Sequence, residues 1–205
     1  MDTIPSRPEA ERLFQWAAKQ NPEPWINHCR VVAQAAETIA SKCGLNPHRA
    51  YISGLFHDIG YHAYKNGKGR SNHIYIGYEF MLEKGYDTIA QICLSHSFSY
   101  QDIRAYSGSD LGQCSDKELA HINNFLTKTV FDDYDKLIQL CDCLRTAQSV
   151  VILEQRMVNV VMRHGFNEFT LKKWNATFAI KEYFDKKCGE NIYNLFHNEI
   201  TDNLF

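Results

Sequence analysis

Two histidines of this chain stand where an amphipathic helix would be expected to carry an apolar side chain. His28 lies four residues before Val32, and His96 lies three residues after Cys93. Residues three or four apart share one face of a helix, so both imidazoles are expected on the buried side of their helices. A neutral imidazole held there offers a ring nitrogen that can bind a proton or a metal ion.

Asp142 and His73 repeat this pattern in two further stretches. Asp142 lies four residues after Ile138 in an otherwise apolar run. A carboxylate is costly to bury there unless it is paired, hydrogen-bonded or bound to a metal ion. His73 lies four residues before Gly77, so a small residue shares its helical face and leaves room for something bulky.

The adjacent pair His57-Asp58 adds two more donor groups. With nine histidines and twelve aspartates in 205 residues, chance alone gives roughly 0.5 such pairs. The pair is informative because of its position at the end of a predicted helix, directly before Ile59-Gly60, where the chain must turn.

Each of these six residues has an ordinary explanation by itself. A histidine on an apolar face is usually a hydrogen-bonded core residue, and Asp142 could pair with Arg145. Six donors in one short helical chain favour a metal site instead, because helical bundles commonly hold metals with inward histidines and carboxylates. These ligands favour one or two divalent ions, iron or manganese first, with zinc, cobalt, nickel and magnesium left open.

The elements that would position these donors are predicted to be helices. Asn46-Pro47 fits an N-cap followed by a first-turn proline, and Ser115 with Glu118 fits a capping box. Strand-like alternation is almost absent, and eight or nine helices are expected. The predicted fold class is therefore all-α, with a metal-binding helical bundle at residues 1–150 and a helical extension at 151–205 packed on the same domain.

The extension is expected to pack through an apolar helix near Val150–Val161, which is punctuated by Glu154 and Arg156. That composition favours a core helix over an interface between proteins. Aromatic and apolar residues that follow are expected to pack against it, namely Phe166, Phe169, Leu171, Trp174 and Phe178.

The order and surroundings of the six donors resemble the HD superfamily of metal-dependent phosphohydrolases. The resemblance covers about Trp25 to Ala147. Five segments carry it, namely His28-Cys29-Arg30-Val31-Val32-Ala33, Gly54-Leu55-Phe56-His57-Asp58-Ile59-Gly60, Asn72-His73-Ile74-Tyr75-Ile76-Gly77, Ile92-Cys93-Leu94-Ser95-His96 and Leu137-Ile138-Gln139-Leu140-Cys141-Asp142.

Two positions depart from patterns within that superfamily. Many relatives carry two adjacent histidines where this chain has His96-Ser97. The cyclic-di-GMP branch has a lysine after its HDIG motif, where this chain has Tyr61. The resemblance still favours the dinuclear type, because His73 and His96 lie where that branch has its extra histidines. The departure at Tyr61 argues against cyclic-di-GMP as the substrate.

The resemblance implies an HD-type helical bundle and the roles of the six donors. In the family, the residues matching His28, His57, Asp58 and Asp142 hold one metal ion. Those matching His73 and His96 help to hold a second ion, and the residue matching Asp58 bridges the two. The implied reaction is hydrolysis of a phosphomonoester or phosphodiester, expected in a nucleotide, by a metal-activated water.

Further residues are candidates for contacts with the substrate. Lys65 and Arg70 could join His57 and Asp58 in catalysis by contacting a phosphate, although a short basic loop is more often only solvated. Arg145 could orient Asp142 or form an ordinary surface ion pair. The aromatic loop from Phe98 to Cys114 could be a lid that stacks a base on Tyr100 or Tyr106, although a plain surface loop is favoured.

Three alternatives to a hydrolase stay open from the sequence. The same ligands could serve a di-iron oxygenase of HD-like fold. The chain could also be a non-catalytic sensor that binds a nucleotide at a retained metal site. Finally, the histidines could be structural only.

Composition limits the partners. The chain has 22 Lys and Arg against 24 Asp and Glu, which argues against a protein that coats nucleic acid. It has no run of 18 apolar residues, so no membrane span is expected. Seven cysteines without a disulfide framework, and a polar N-terminus, favour a cytoplasmic protein. The expected partner is a small phosphorylated molecule, and an oligomer is possible.

Overall fold

The computed structural model describes residues 4–64, 72–106, 110–146 and 149–202. Within these ranges the chain forms ten α-helices and no β-strand, so the predicted all-α fold is confirmed. The helices are α1 (Arg7–Gln20), α2 (Trp25–Lys42), α3 (Pro47–Phe56), α4 (His73–Glu83), α5 (Asp87–Ser95), α6 (Asp116–Lys128), α7 (Asp133–Cys143), α8 (Leu153–His164), α9 (Thr170–Cys188) and α10 (His197–Asp202).

Short 3-10 turns connect several of these helices, and the turn Ile59–Ala63 directly follows His57-Asp58. Local capping accounts for many boundaries. The side chain of Asn46 accepts a hydrogen bond from the Arg49 amide at the start of α3. Ser115 and Glu118 form the expected capping box of α6. In the described part of the chain, none of the helices is long and apolar enough to cross a membrane.

Helix α1 was not among the predicted helices. It follows Ser6, has a proline in its first turn, and buries Ala10, Phe14 and Ala17 at helical spacing. Those three residues are the signal in the sequence that indicates the helix, although polar residues dominate the rest of the stretch. Burial of Phe14 against Trp25 and Phe56 joins α1 to α2 and α3.

Helices α2 and α3 lie against each other more closely than side chains at the contact would allow. A Cβ on Gly54 would lie 2.7 Å from the Cα of Ala33, a separation that real Cβ atoms essentially never show. Glycine at position 54 therefore lets the two backbones approach. This contact fixes the distance between the helix of His28 and the turn of His57-Asp58.

The C-terminal helices pack on the same core as the N-terminal ones. Leu153 and Met157 of α8 and Phe184 of α9 are buried in a cluster that also contains residues of α2 and α7. The expected packing is confirmed for Trp174 and Phe178, which pack against this cluster, and is wrong for Phe166 and Leu171, whose exposed fractions are 57% and 56%. Their segment turns outward at Gly165, which has a φ of +81°. The domain boundary at residue 150 stays a prediction.

Candidate metal centre

Five helices bring the six predicted ligands together. His28 projects from α2, and His57 and Asp58 follow the last turn of α3. His73 is the first residue of α4, His96 directly follows α5, and Asp142 lies near the end of α7. All but Asp142 are buried, and His57 is fully inaccessible.

A first cluster forms around the Nε2 atom of His28. This nitrogen lies 2.7 Å from the Nε2 of His57, 2.8 Å from Oδ2 of Asp58 and 3.3 Å from Oδ1 of Asp142. A neutral imidazole carries one proton on one of its two nitrogens, so it cannot hydrogen-bond to all three. Several lone pairs therefore converge on one small volume.

A second cluster lies on the other side of Asp58. Oδ1 of Asp58 is 3.1 Å from the Nε2 of His73 and 3.3 Å from the Nε2 of His96. The two carboxylate oxygens of Asp58 thus face different clusters, because Oδ2 faces His28. A carboxylate with this placement can join two adjacent cation sites.

Backbone contacts behind two of the histidines set their tautomers. The Nδ1–H of His57 donates to the carbonyl of Gly54 at 2.7 Å. The Nδ1–H of His96 donates to the carbonyl of Cys93 at 3.0 Å. Each Nε2 is then left unprotonated and directed into the clusters, which is the usual arrangement of a metal-ligating histidine.

The electrostatics of the site also favour cation binding. Burial lowers the pKa of His57, so this imidazole is neutral near pH 7. Burial alone would raise the pKa of Asp58, but the neighbouring imidazoles of His57, His73 and His96 bring it well below its ordinary value. Asp58 is therefore a buried carboxylate held in its charged form.

The spacing of the donor atoms fits a transition-metal site. Two ligands at right angles, each about 2.1 Å from an ion, lie about 3.0 Å apart. The donor–donor distances in the first cluster run from 2.7 to 3.9 Å. Two groups, His28 with His57 and Asp142, and Asp58 with His73 and His96, each have the composition of a metal site. The residues present fit one or two divalent ions.

Comparison with known families accounts for this arrangement. The model of the family described as HD domain matches residues 25–147, which is more than half of the chain. The chain belongs to the HD domain family. Comparison with curated proteins and with solved structures found no match for it. The HD domain implies the superfamily of metal-dependent phosphohydrolases. The assignment of metal ligands stays a prediction, and its residues are His28, His57, Asp58, His73, His96 and Asp142.

The HD turn is held against α4 by a close backbone contact. A Cβ on Gly60 would lie 1.9 Å from the carbonyl oxygen of His73 and 2.7 Å from the amide nitrogen of Gly77. The space beside His73 that Gly77 was expected to leave for a bulky group is thus filled by the backbone of Gly60. Two glycines lock the position of His73 relative to Asp58.

Arg145 is buried behind the first cluster, which excludes the surface ion pair considered from the sequence. Its exposed fraction is 6%, its Nη2 lies 3.1 Å from the Nε2 of His28, and its Nε lies 3.9 Å from Oδ1 of Asp142. Burial and the charge of Arg156 lower its pKa to about 8, which leaves the guanidinium protonated at neutral pH. Arg145 therefore places a positive charge at the edge of the site.

A cavity of about 690 Å³ opens above the two clusters and is lined by His28, Asp58, His73, His96 and Asp142. Its volume lies in the range of small-molecule sites. Tyr61, Tyr64 and Tyr106 also line it. Of the two tyrosines proposed to stack a base, Tyr106 is on the cavity wall. Tyr100 instead lies beneath the ammonium group of Lys172, 4.4 Å from its ring centre.

The sequence interpretation missed two neighbours of the ligands. Tyr61 stacks on the ring of His73, with centroids 4.3 Å apart and planes 8° from parallel. Cys29 lies against His57 and Asp58. Burial, followed by the charge of Asp58, raises the pKa of the Cys29 thiol well above its ordinary value. The available signal was that Cys29 directly follows His28 and that Tyr61 comes three residues after Asp58. The predicted catalytic residues Lys65 and Arg70 lie outside the described residues.

Proposed function

We propose that this HD domain protein hydrolyses a phosphomonoester or phosphodiester of a nucleotide with the help of divalent metal ions. The observation that carries the proposal is the placement of Asp58, whose two oxygens face two separate histidine clusters. A carboxylate so placed can hold two cations next to each other, and paired cations are the usual apparatus for in-line displacement at phosphorus.

The metal ions would supply a water of lowered pKa and a Lewis acid for the phosphate oxygens. His28, His57, Asp58 and Asp142 would hold one ion, and His73 and His96, with Asp58, the other. The hydrogen bonds from His57 and His96 to backbone carbonyls keep the coordinating nitrogens unprotonated. Arg145 would bind an oxygen of the phosphate, because its guanidinium lies beside His28 at the cavity.

The shape of the cavity supports a nucleotide rather than a bulky protein substrate. Its walls combine the charged clusters with Tyr61, Tyr64 and Tyr106. Aromatic rings of this kind can stack on a base, and every base presents a π-face. The sugar and base would then lie along the aromatic side while the phosphate points to the ligands.

The direct experiment is a metal analysis of protein purified without chelator, followed by a phosphate-release screen. Metal-stripped protein is supplied separately with iron, manganese, cobalt, nickel, zinc and magnesium, and is tested against nucleotides and simple phosphate esters. We expect bound transition metal and phosphate release that depends on it. Stoichiometric metal together with substrate-dependent oxygen consumption and no phosphate release would replace the hydrolase by an oxygenase. Protein that binds no metal under any condition would overturn the proposal.

A further inference from the structure

Part of the wall of the cavity comes from the C-terminal helices. Arg156 and Arg163 of α8 and Lys173 of α9 line the cavity together with Arg145. All three follow residue 147, where the match to the HD domain family ends. This basic wall, defined as Arg156, Arg163 and Lys173, therefore lies outside the segment that matches the family.

The two arginines of the basic wall differ from most other described arginines in having no ion pair with a carboxylate. In the described ranges, neither Arg156 nor Arg163 forms an ion pair with a carboxylate, and Arg163 donates only to the backbone carbonyl of Asn159. Arginines elsewhere do form such pairs, namely Arg7 with Glu37, Arg30 with Glu11 and Arg49 with Asp132. Cations that face a cavity without a carboxylate partner are suited to bind an anion.

Repulsion within the cavity strengthens this point. Arg145 and Arg156 line the same cavity, so their positive charges repel each other there. Three carboxylates line the cavity among the described residues, and two of them, Asp58 and Asp142, belong to the metal clusters. Glu23 is the third. Metal ions would neutralise the ligand carboxylates, so the basic side would retain an excess of positive charge.

The basic wall is longer than a single phosphate requires. Arg156 and Arg163 are seven residues apart on α8, so they lie on one face about 10 Å apart along the helix axis. Arg156 is the arginine nearer the metal side, because Arg145 pairs with Val150 just before α8 begins at Leu153. Arg163 therefore lies farther out, where it can contact an anionic group that is not at the metals.

An adjoining recess of about 250 Å³ continues from this wall. Arg156, Arg163 and Lys173 line both cavities, and the recess adds Met157, Val160 and Trp174. Apolar and aromatic surface next to three cations matches a molecule that combines a flat ring with a chain of charges.

We propose that the basic wall binds a chain of phosphates, so that the substrate is a nucleotide with two or more phosphate groups. One phosphate is at the metal clusters, and the others contact Arg156, Arg163 and Lys173. The proposal rests on the phosphohydrolase function for the cleavage step, but the anion site itself is independent of turnover.

The test measures binding and turnover separately. Metal-free protein, with chelator removed by dialysis, is titrated calorimetrically with inorganic triphosphate and with inorganic phosphate. The variant Arg156→Gln/Arg163→Gln is compared with Arg12→Gln/Lys186→Gln. The control loses the same charge at two exposed positions on α1 and α9 that line neither cavity. Circular dichroism checks folding, and Arg163→Gln alone, at an exposed residue, replaces the double variant if that fails to fold.

We expect the Arg156→Gln/Arg163→Gln variant to bind triphosphate about tenfold more weakly than the control does. In the metal-loaded enzyme we expect its KM to rise at least about tenfold more for ATP than for AMP. Equal triphosphate affinity in the variant and the control would overturn the proposal that the basic wall binds phosphates. Loss of triphosphate binding without phosphate release from any nucleotide would retain the wall and reject the hydrolase. Equal increases of KM for ATP and for AMP would place the arginines at the scissile phosphate and overturn the proposal.

Discussion

The two walls of the cavity differ in how firmly the protein holds them. On the metal side, His57 is fully inaccessible and His73 is 5% exposed, and the backbone contacts of Gly54 and Gly60 leave little freedom to move. In the basic wall, Arg156 is half-buried and Arg163 is exposed. The metal side lies within the HD domain match and the basic wall lies after it.

Because of this difference, we expect the metal side to determine the reaction and the basic wall to determine which substrates bind. Ligands must be held to fractions of an ångström for metal chemistry, so they are buried, hydrogen-bonded from behind and crowded by glycine contacts. Long charged side chains on a helix surface can adjust to different anions. Changes on the metal side are therefore expected to affect activity as a whole, whereas changes on the basic side are expected to alter which substrates bind.

The largest effect is expected for Asp58→Asn, which keeps the shape of the side chain and removes its charge. Because both clusters face Asp58, we expect loss of most bound metal and a fall in activity of about a thousandfold or more. Metal content and kcat/KM are measured beside Asp116→Asn, an exposed position on α6. If Asp58→Asn kept its full metal content and full activity, the metal side would not control the reaction as we expect.

Gly60→Ala tests whether backbone contact fixes the metal side. The added Cβ would lie 1.9 Å from the carbonyl oxygen of His73, so the HD turn and α4 must separate. We expect the free energy of unfolding to fall by about 3 kcal/mol and metal affinity to weaken. Gly112→Ala is the control, since its Cβ meets no atom within 4 Å. If both variants unfold at the wild-type denaturant midpoint, the close contact does not constrain the site.

Asp135→Asn tests a buried polar contact behind the ligands. Asp135 of α7 accepts a hydrogen bond from Ser95, which precedes His96, at 2.6 Å. Burial raises the pKa of Asp135 to about 6. Because this value exceeds that of the unfolded chain, the stability contributed by the proton is present below about pH 4 and is lost as the pH rises to about 6.

We therefore expect the stability difference between Asp135→Asn and wild type to shift by about 2 kcal/mol in favour of the variant between pH 4.5 and pH 7. Denaturant unfolding at the two pH values measures it. An asparagine can keep both contacts, with its carbonyl oxygen accepting from the Asp132 amide and its amide group donating to Ser95. Parallel pH profiles for the two proteins would mean that Asp135 titrates normally.

The sequence predicted well which residues come together at the site, because their signal is local. His28, His96 and Asp142 are polar residues at helical spacing within apolar runs, and each of them lies at the site in the structure. The same reasoning identified caps such as Asn46 and Ser115. Helical periodicity and capping depend on neighbours within a few residues, so they can be read without knowing the fold.

The basic wall could not be predicted in the same way. Arg156 and Arg163 have the spacing of an ordinary solvated helix face, and only the packing of α8 over the cavity brings them near His28. Likewise, nothing near Gly60 in the chain indicates that its neighbour is the carbonyl of His73. Contacts between distant segments depend on how the helices pack, which local patterns do not specify.

The smallest expected effect is the response to salt, and it distinguishes the two walls without a mutation. Exposed charges are screened over about 10 Å at 0.1 M salt, whereas buried groups are screened much less. Raising the salt from about 0.05 to about 0.5 M should increase the KM for ATP about fivefold and change kcat by less than about twofold. The KM for AMP should rise less, because AMP has no phosphates to reach Arg163.

The Arg156→Gln/Arg163→Gln variant sharpens this measurement. Its KM for ATP should depend less on salt than that of the wild type, since the screened charges have been removed. Potassium chloride and potassium acetate are compared, so that competition by a particular anion is separated from screening. If salt lowered kcat and left KM constant, the sensitive charges would lie at the metal clusters, and the division of labour between a rigid reactive wall and an adaptable binding wall would fail.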